Sequence, residues 1–144
     1  EMPKEWTGNV NAKCKYLLVV VDIYSRFMWV KPLPSRNSTL YTQAFQQIMN
    51  EMKKKWNFKP FSIVADNEFI AKEFLALLKK NNINIIYSLP EKIHYKTAIV
   101  ERAIGSLKVM INRYLTSRNT RQYKGALSQI VLAYNEAKHS TVCL

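Results

Sequence analysis

The chain has 144 residues and a formal net charge of +12, from 22 lysines and arginines against 10 aspartates and glutamates. Because 48% of the residues are apolar, the sequence can bury a core and is not disordered. Its longest apolar run, Tyr16–Val21, is too short to span a membrane. The excess of positive charge predicts a polyanionic partner, with nucleic acid first.

The length of 144 residues predicts one domain, and the absence of methionine at position 1 leads us to expect that it is cut from a longer protein. The first residues have no apolar region of the kind found in a signal peptide. Cys14 and Cys143 have neither metal-ligand spacing nor the pattern of a disulfide scaffold. Such cysteine usage favours a reducing, intracellular compartment.

A strand hairpin opens the predicted fold. Residues 15–22, KYLLVVVD, are apolar and valine-rich, which is typical of a strand. Residues 27–33 form a second strand after the short connection 23–26, so the two strands are expected to be antiparallel.

An amphipathic helix follows, with Ser38 as its expected N-cap. Lysines 53–55 lie in its last turn, where they favour the helix dipole, and a solvated helix end is the preferred interpretation over a DNA contact. Trp29 and Trp56 stand in apolar patterns and are expected in the core rather than as base-stacking platforms.

A strand, a helix and a strand come next, over residues 61–65, 71–80 and 83–88. Their short connections predict a βαβ unit with parallel strands. Residues 89–96 form a loop, and residues 123–138 form the last helix. The order predicts an α/β fold, a mixed sheet flanked by helices.

The helix over residues 97–115 has one apolar face, formed by Val100, Ile104, Leu107, Ile111 and Tyr114. A polar stripe runs beside it at spacings of four, three and four: Glu101, Gly105, Lys108 and Asn112. Such a stripe is either a solvated face or a surface on which an acid holds a metal and a lysine holds a phosphate. Spacing by itself leaves both interpretations open.

Asp66 closes the strand over residues 61–65, and chemistry in open α/β sheets sits at strand ends. Two acids from separate elements, Asp66 and Glu101, in a basic chain suit a Mg²⁺ site acting on phosphates. Paired ions would activate the attacking oxygen and stabilise the leaving one.

Several segments, in this order, resemble retroviral-integrase-type catalytic cores of the DDE superfamily: VVVDIYSRFMWVKPL, VADNEF and TAIVERAIGSLK, followed by Tyr134, Asn135 and His139. Within that superfamily they look most like integrases of Maverick/Polinton-class elements and related retroelements. The resemblance covers nearly the whole chain and implies a ribonuclease H-like fold.

The resemblance also implies an activity. Such integrases are polynucleotidyl transferases that bind the ends of element DNA, trim them with water, and join the 3′-hydroxyls to target DNA with Mg²⁺ or Mn²⁺. It implies a homo-oligomer with element ends and target DNA as partners, no membrane association, and a nuclear location.

By the same resemblance, Asp66 matches the family's second acid and Glu101 its third, each as a catalytic metal ligand. The first acid would lie on a strand upstream of Glu1, and Asp22 is the less favoured substitute. Asp66-Asn67-Glu68-Phe69 lacks the glycine that the family often has in this turn.

The resemblance further assigns DNA-binding residues. Lys108 matches a lysine that contacts the DNA end, and Arg102 touches either DNA or a carboxylate. Residues 89–97 match the mobile active-site loop, where His94 and Lys96 contact phosphate or are simply solvated. Ile104 and Gly105 replace the polar pair that the family often has after the glutamate, which weakens the expected DNA contact on that turn.

Three functions therefore remain as hypotheses. The first is an active integrase core. The second is an inactive or domesticated core that binds DNA or protein, which a missing first acid favours. The third is a ribonuclease H-type nuclease on the same fold. The basic charge and the Lys108 spacing favour an integrase over this nuclease, by family resemblance only.

Overall fold

A computed structural model describes residues 14–87 and 94–137, with side chains from 98 onward in the second range. Trp6, His139, Cys143 and most of the expected active-site loop lie outside the described residues. The chain divides into two compact units. The first unit combines Glu1–Ser35 with Ala98–Leu144, and the second unit is Arg36–Thr97.

Four strands and four helices lie within the described residues. They are β1 (Tyr16–Val21), β2 (Met28–Leu33), α1 (Ser38–Trp56), β3 (Ser62–Ala65), α2 (Lys72–Lys80), β4 (Asn84–Tyr87), α3 (His94–Ser117) and α4 (Leu127–Glu136), with a 3₁₀ turn at Lys124–Ala126 before α4. The predicted α/β class is confirmed. No helix in the described ranges is long and apolar enough to cross a bilayer.

Both predicted strand pairs are confirmed. In the first unit β1 and β2 are antiparallel, from Tyr16 opposite Leu33 to Val21 opposite Met28. In the second unit β3 and β4 are parallel, and α2 connects them. Within the described residues the strands pair as two two-stranded sheets, β1 with β2 and β3 with β4. Short connections specify these local pairs, but they do not specify which strands become longer-range neighbours.

The core of the first unit forms where α3, α4 and the hairpin pack together. Its buried residues are Met28, Ala103, Leu107, Ile111, Leu115, Tyr123, Leu127, Ile130 and Tyr134. The predicted inward faces of α3 and α4 are confirmed in their centres, but Ala103 and Leu115 are more deeply buried than Val100 and Ile104. The buried stripe of α3 therefore follows one row of residues four apart.

Tyr123 ties the start of the described chain to this core. Its ring is fully buried, and its hydroxyl donates a hydrogen bond of 2.8 Å to the Cys14 carbonyl oxygen. Burial, followed by the charge of the nearby Cys14, raises the pKa of Tyr123 to about 12. The hydroxyl therefore stays protonated and keeps donating well above neutral pH.

An aromatic cluster forms the core of the second unit. The Phe74 ring lies edge-on to Tyr41 and Phe45, with centroids 5.4 Å apart in each pair. Phe69 packs against the same group, 5.1 Å from Tyr41. Helices α1 and α2 are held together through these rings.

Several predicted boundaries are wrong by a few residues. Asn37, not Ser38, caps α1, because the Asn37 side chain accepts from the Thr39 amide at 2.8 Å while the Ser38 hydroxyl donates to Glu73. Helix α3 begins at His94, so part of the predicted loop is helical. The last helix opens with the 3₁₀ turn, not with a regular α-helical turn at Tyr123.

The prediction for the two tryptophans is right for one and wrong for the other. Trp29 is buried in the first unit, at 7% exposure, as expected. Trp56 ends α1 and is 44% exposed, so it does not belong to the core. Its apolar spacing predicted a place on the buried face, but the residue lies at the last position of α1 and keeps a large exposed fraction.

Candidate functional site

Asp66 directly follows β3 and is exposed. Residues 66–69 form a tight turn, in which the Phe69 amide donates to the Asp66 carbonyl oxygen at 3.1 Å. The turn closes over four residues without the glycine that the family often has. The shortened motif is therefore a complete β-turn that presents the Asp66 carboxylate at the end of the strand.

Two contacts from the body of the second unit hold this turn. The Phe69 ring packs on Tyr41 and Phe74, and the Tyr87 hydroxyl donates to the Phe69 carbonyl oxygen at 2.9 Å. Phe69 and Tyr87 therefore fix the turn that carries Asp66. Sequence reasoning missed this role, although the aromatic residue three positions after the acid was a usable signal.

Glu68, the other acid of the turn, forms an ion pair with Arg36 at 3.5 Å. Both side chains are more than half exposed, so the pair contributes little stability. This ion pair gives Glu68 a role on the surface of the second unit that is separate from the metal binding expected at Asp66.

The predicted polar stripe on α3 is confirmed as a surface. Glu101, Gly105, Lys108 and Asn112 are all exposed, beside the buried stripe of the first unit. Seven residues of helix separate Glu101 from Lys108 by about 10 Å along the axis. An acid and a cation thus stand on one open face, two turns apart.

Gly105 lies between these two charges. A Cβ atom built on it would meet nothing within 4 Å, so internal packing does not require glycine there.

Arg102 is exposed next to Glu101. His94 and Lys96 fall within the first turn of α3, and their side chains lie outside the described part of the structure. Asp66 belongs to the second unit, and Glu101, Arg102 and Lys108 belong to the first.

Asp22 is the less favoured candidate for the first acid, and its carboxylate accepts hydrogen bonds within the hairpin turn. Its Oδ2 atom accepts from the Ser25 amide at 2.9 Å and from the Ser25 hydroxyl at 2.6 Å. Its own amide donates to the Phe27 carbonyl oxygen, and Arg26 adopts a left-handed conformation with φ 64°. The carboxylate therefore has a structural role in closing the turn between β1 and β2.

Asp66 in the second unit and Glu101 in the first each carry an exposed carboxylate, the type of oxygen ligand that Mg²⁺ prefers. Across residues 14–87 and 98–137, no three His, Cys, Asp or Glu side chains gather into a group that could hold a metal ion.

Asn135, part of the quoted Tyr134-Asn135 motif, has a structural role that the sequence did not predict. Its Oδ1 atom accepts from the Met28 amide at 2.8 Å, and its Nδ2 atom donates to the Met28 carbonyl oxygen at 2.9 Å. The side-chain amide thus pairs with the start of β2 as a neighbouring strand would. Tyr134 beside it is buried in the first-unit core.

The fold is that of retroviral integrase catalytic cores, which are ribonuclease H-like. The HTLV-2 integrase core, solved with magnesium in a trimeric form, matches 87% of this chain and 76% of its own, with a TM-score of 0.70 and 23% identity. The match to the BIV integrase core covers 86% of this chain and 77% of the BIV chain, with a TM-score of 0.69 and 20% sequence identity. The resemblance to integrase cores named from the sequence is confirmed by fold.

A larger assembly contains the same fold. The simian T-cell lymphotropic virus intasome, solved with the PP2A regulatory subunit B56 gamma, matches 88% of this chain and 44% of its own, with a TM-score of 0.75 and 21% identity.

A relative among known sequences is an uncharacterised transposon-derived protein of Caenorhabditis elegans, 35% identical over 124 residues. The match covers 85% of this chain but only 41% of the relative's length. No protein-family model matches the sequence. The predicted likeness to Maverick/Polinton-class integrases stays a prediction.

Proposed function

We propose that this chain is the catalytic core of a DDE-type polynucleotidyl transferase that processes the 3′ ends of element DNA and joins them to target DNA. The observation that carries the proposal is the integrase-core fold, matched over 86–88% of the chain. The transposon-derived relative and the charge of +12 support it.

Asp66 and Glu101 are the residues that we propose as metal ligands and catalytic acids. Mg²⁺, or Mn²⁺ in its place, would activate an attacking oxygen and stabilise the leaving one. The chain's own contribution is positional, because the Phe69 turn orients the Asp66 carboxylate and the rigid α3 helix presents Glu101.

Lys108 and Arg102 are proposed to bind the DNA end. Both are exposed on α3, on the same helix as Glu101. We extend the proposal to His94 and Lys96, since the first turn of a helix favours phosphate through its unpaired amides.

The working form is proposed to be a homo-oligomer acting on DNA in the nucleus, with residues 1–144 as the core of a longer protein. Support comes from relatives only: the HTLV-2 core is described in dimeric and trimeric forms, and the simian virus protein in an intasome.

A second candidate is an inactive core that binds DNA or protein. The engagement of Asp22 Oδ2 with Ser25 supports it, because it gives this carboxylate a structural role in the hairpin turn. A first acid upstream of Glu1 would restore the active assignment.

Manganese soaked into crystals of the 144-residue chain tests the metal assignment, since Mn²⁺ takes the same oxygen ligands and scatters anomalously. We expect an ion bound by carboxylate oxygens of Asp66 and Glu101. An ion held by Asp22 would overturn the assignment of the first acid. Failure to bind Mn²⁺ at either residue would favour the inactive core.

Replacing Lys108 with alanine is expected to weaken duplex DNA binding and to reduce the slope of log K against log salt by about 0.9, the value for one phosphate contact. Fluorescence anisotropy over a salt series measures both quantities. Arg113→Ala is the control, because that exposed side chain lies about 140° around the same helix. An unchanged slope in Lys108→Ala would remove this lysine from the interface.

A further inference from the structure

Two helix ends and two strand starts meet at one end of the second unit. Because β3 and β4 are parallel, both begin at the same end of their sheet. Residues 57–61 connect α1 to β3, and residues 81–83 connect α2 to β4. The first connection contacts the start of β4, since the Asn84 amide donates to the Phe61 carbonyl oxygen at 3.0 Å.

Positive charge is concentrated at this end. Six exposed lysines lie in the last turns of the two helices and in the first connection: Lys53, Lys54, Lys55, Lys59, Lys79 and Lys80. The sequence has no aspartate or glutamate in residues 52–65 or 74–87. Helix dipoles account for lysines in a last turn, but not for Lys59 or for the absence of acids.

Three large aromatic side chains are exposed among these lysines. Trp56 is 44% exposed, Phe58 45% and Phe61 80%. Such exposure costs hydration free energy at each ring and is not required by the core of the second unit. We call this surface, residues 53–61 with Lys79 and Lys80, the lysine–aromatic end.

The backbone beneath the rings is well defined. Asn57 ends α1 in a left-handed conformation, with its amide bonded to the Lys53 carbonyl oxygen at 2.9 Å. The Phe58 amide reaches the Met52 carbonyl oxygen at 3.4 Å, which completes a Schellman-type end. The Lys55 ammonium lies 5.3 Å from the centre of the Trp56 ring. The Lys55 ammonium and the Trp56 ring therefore lie side by side on this surface.

We propose that the lysine–aromatic end binds single-stranded DNA, with phosphates on the lysines and unpaired bases stacked on Trp56, Phe58 and Phe61. Alternating cations and open aromatic faces are what a single strand requires. A duplex keeps its bases stacked inside and cannot use the rings. The surface lies at the start of β3, whereas Asp66 lies at the end of that strand, so the binding is separate from the proposed chemistry.

Binding of a fluorescein-labelled oligothymidylate to the 144-residue chain tests this surface. We expect Phe61→Ala and Trp56→Ala each to weaken single-strand binding about tenfold. Replacing Lys54 and Lys59 with glutamine should reduce the salt slope by about 0.7 per lysine. Single-strand binding should also quench tryptophan fluorescence, and Trp56→Phe should abolish that quenching while keeping most of the affinity.

Two matched controls are available. Tyr24→Ala removes an aromatic ring that is 84% exposed in the first unit, and Lys72→Gln removes a lysine at the other end of α2. Neither should change oligothymidylate binding. Glu101→Gln should leave it unchanged as well, so failure of this proposal is distinguishable from failure of the proposed activity.

Equal losses for oligothymidylate and for a hairpin duplex in Phe61→Ala would overturn the proposal, and so would unchanged affinity in both ring variants. Binding to phosphatidylserine vesicles that depends on Phe61, without single-strand binding, would assign the surface to a membrane instead. Thermal unfolding of each variant checks the fold, which substitution of such exposed side chains should leave intact.

Discussion

Strand joining by the protein is expected to fall by about 10³-fold when Glu101 is replaced with glutamine, and by a similar factor in Asp66→Asn. Each change keeps the size of the side chain but removes the negative charge that would hold a divalent cation. A factor of 10³ corresponds to about 4 kcal/mol of transition-state stabilisation, within the range for metal-ion catalysis.

The measurement is the Mn²⁺-dependent conversion of a supercoiled plasmid to nicked and joined products, with a pool of short duplexes whose end sequences are randomised. Asp22→Asn is the matched control. A carboxamide oxygen can still accept both hydrogen bonds from Ser25, so the hairpin turn should persist while any metal ligation by that carboxylate is lost.

We expect Asp22→Asn to retain activity and all three variants to bind duplex DNA. Activity that survives in Glu101→Gln would refute the proposed mechanism. Loss of activity in Asp22→Asn with an unchanged thermal midpoint would instead make Asp22 the first acid. A wild-type chain that binds DNA but never joins it would favour the inactive core.

The second large effect concerns stability. Asn135→Ala is expected to lower the free energy of unfolding by about 3 kcal/mol, because it leaves the amide and the carbonyl group of buried Met28 without their side-chain partner. Unpaired polar groups in such a position cost about 1–3 kcal/mol each. That is a large share of the 5–15 kcal/mol typical of a domain.

Urea unfolding followed by circular dichroism measures this change. Glu136→Ala, at the exposed neighbouring position, is the control and should stay within about 0.5 kcal/mol of the wild type. Asn135→Asp keeps an acceptor for the Met28 amide but sets a carboxylate against the Met28 carbonyl oxygen. Its free energy of unfolding should therefore lie between those of the wild type and Asn135→Ala, or below that of Asn135→Ala. A loss below about 1 kcal/mol in Asn135→Ala would show that water replaces the amide.

Periodicity determined the features that depend on near neighbours in the chain. The hairpin, the βαβ unit and the exposed stripe of Glu101, Lys108 and Asn112 follow from residue spacing, because a strand or helix repeats its own geometry. The pairing of Asp66 with Glu101 as metal ligands was argued from the strand end, the helix and the basic charge, and the resemblance added Lys108 as a DNA contact.

Only the tertiary structure decided which partners lie far away in sequence. Asn135 pairs with Met28 across 107 positions, and Tyr87 supports the Asp66 turn from another strand. Trp56 has the spacing of a core residue, yet at the last position of α1 it is 44% exposed. The spacing of apolar residues specifies which face of a helix or strand is apolar. Which residues then pack on that face depends on contacts between residues far apart in the chain, which close long loops. No short stretch of sequence encodes those contacts.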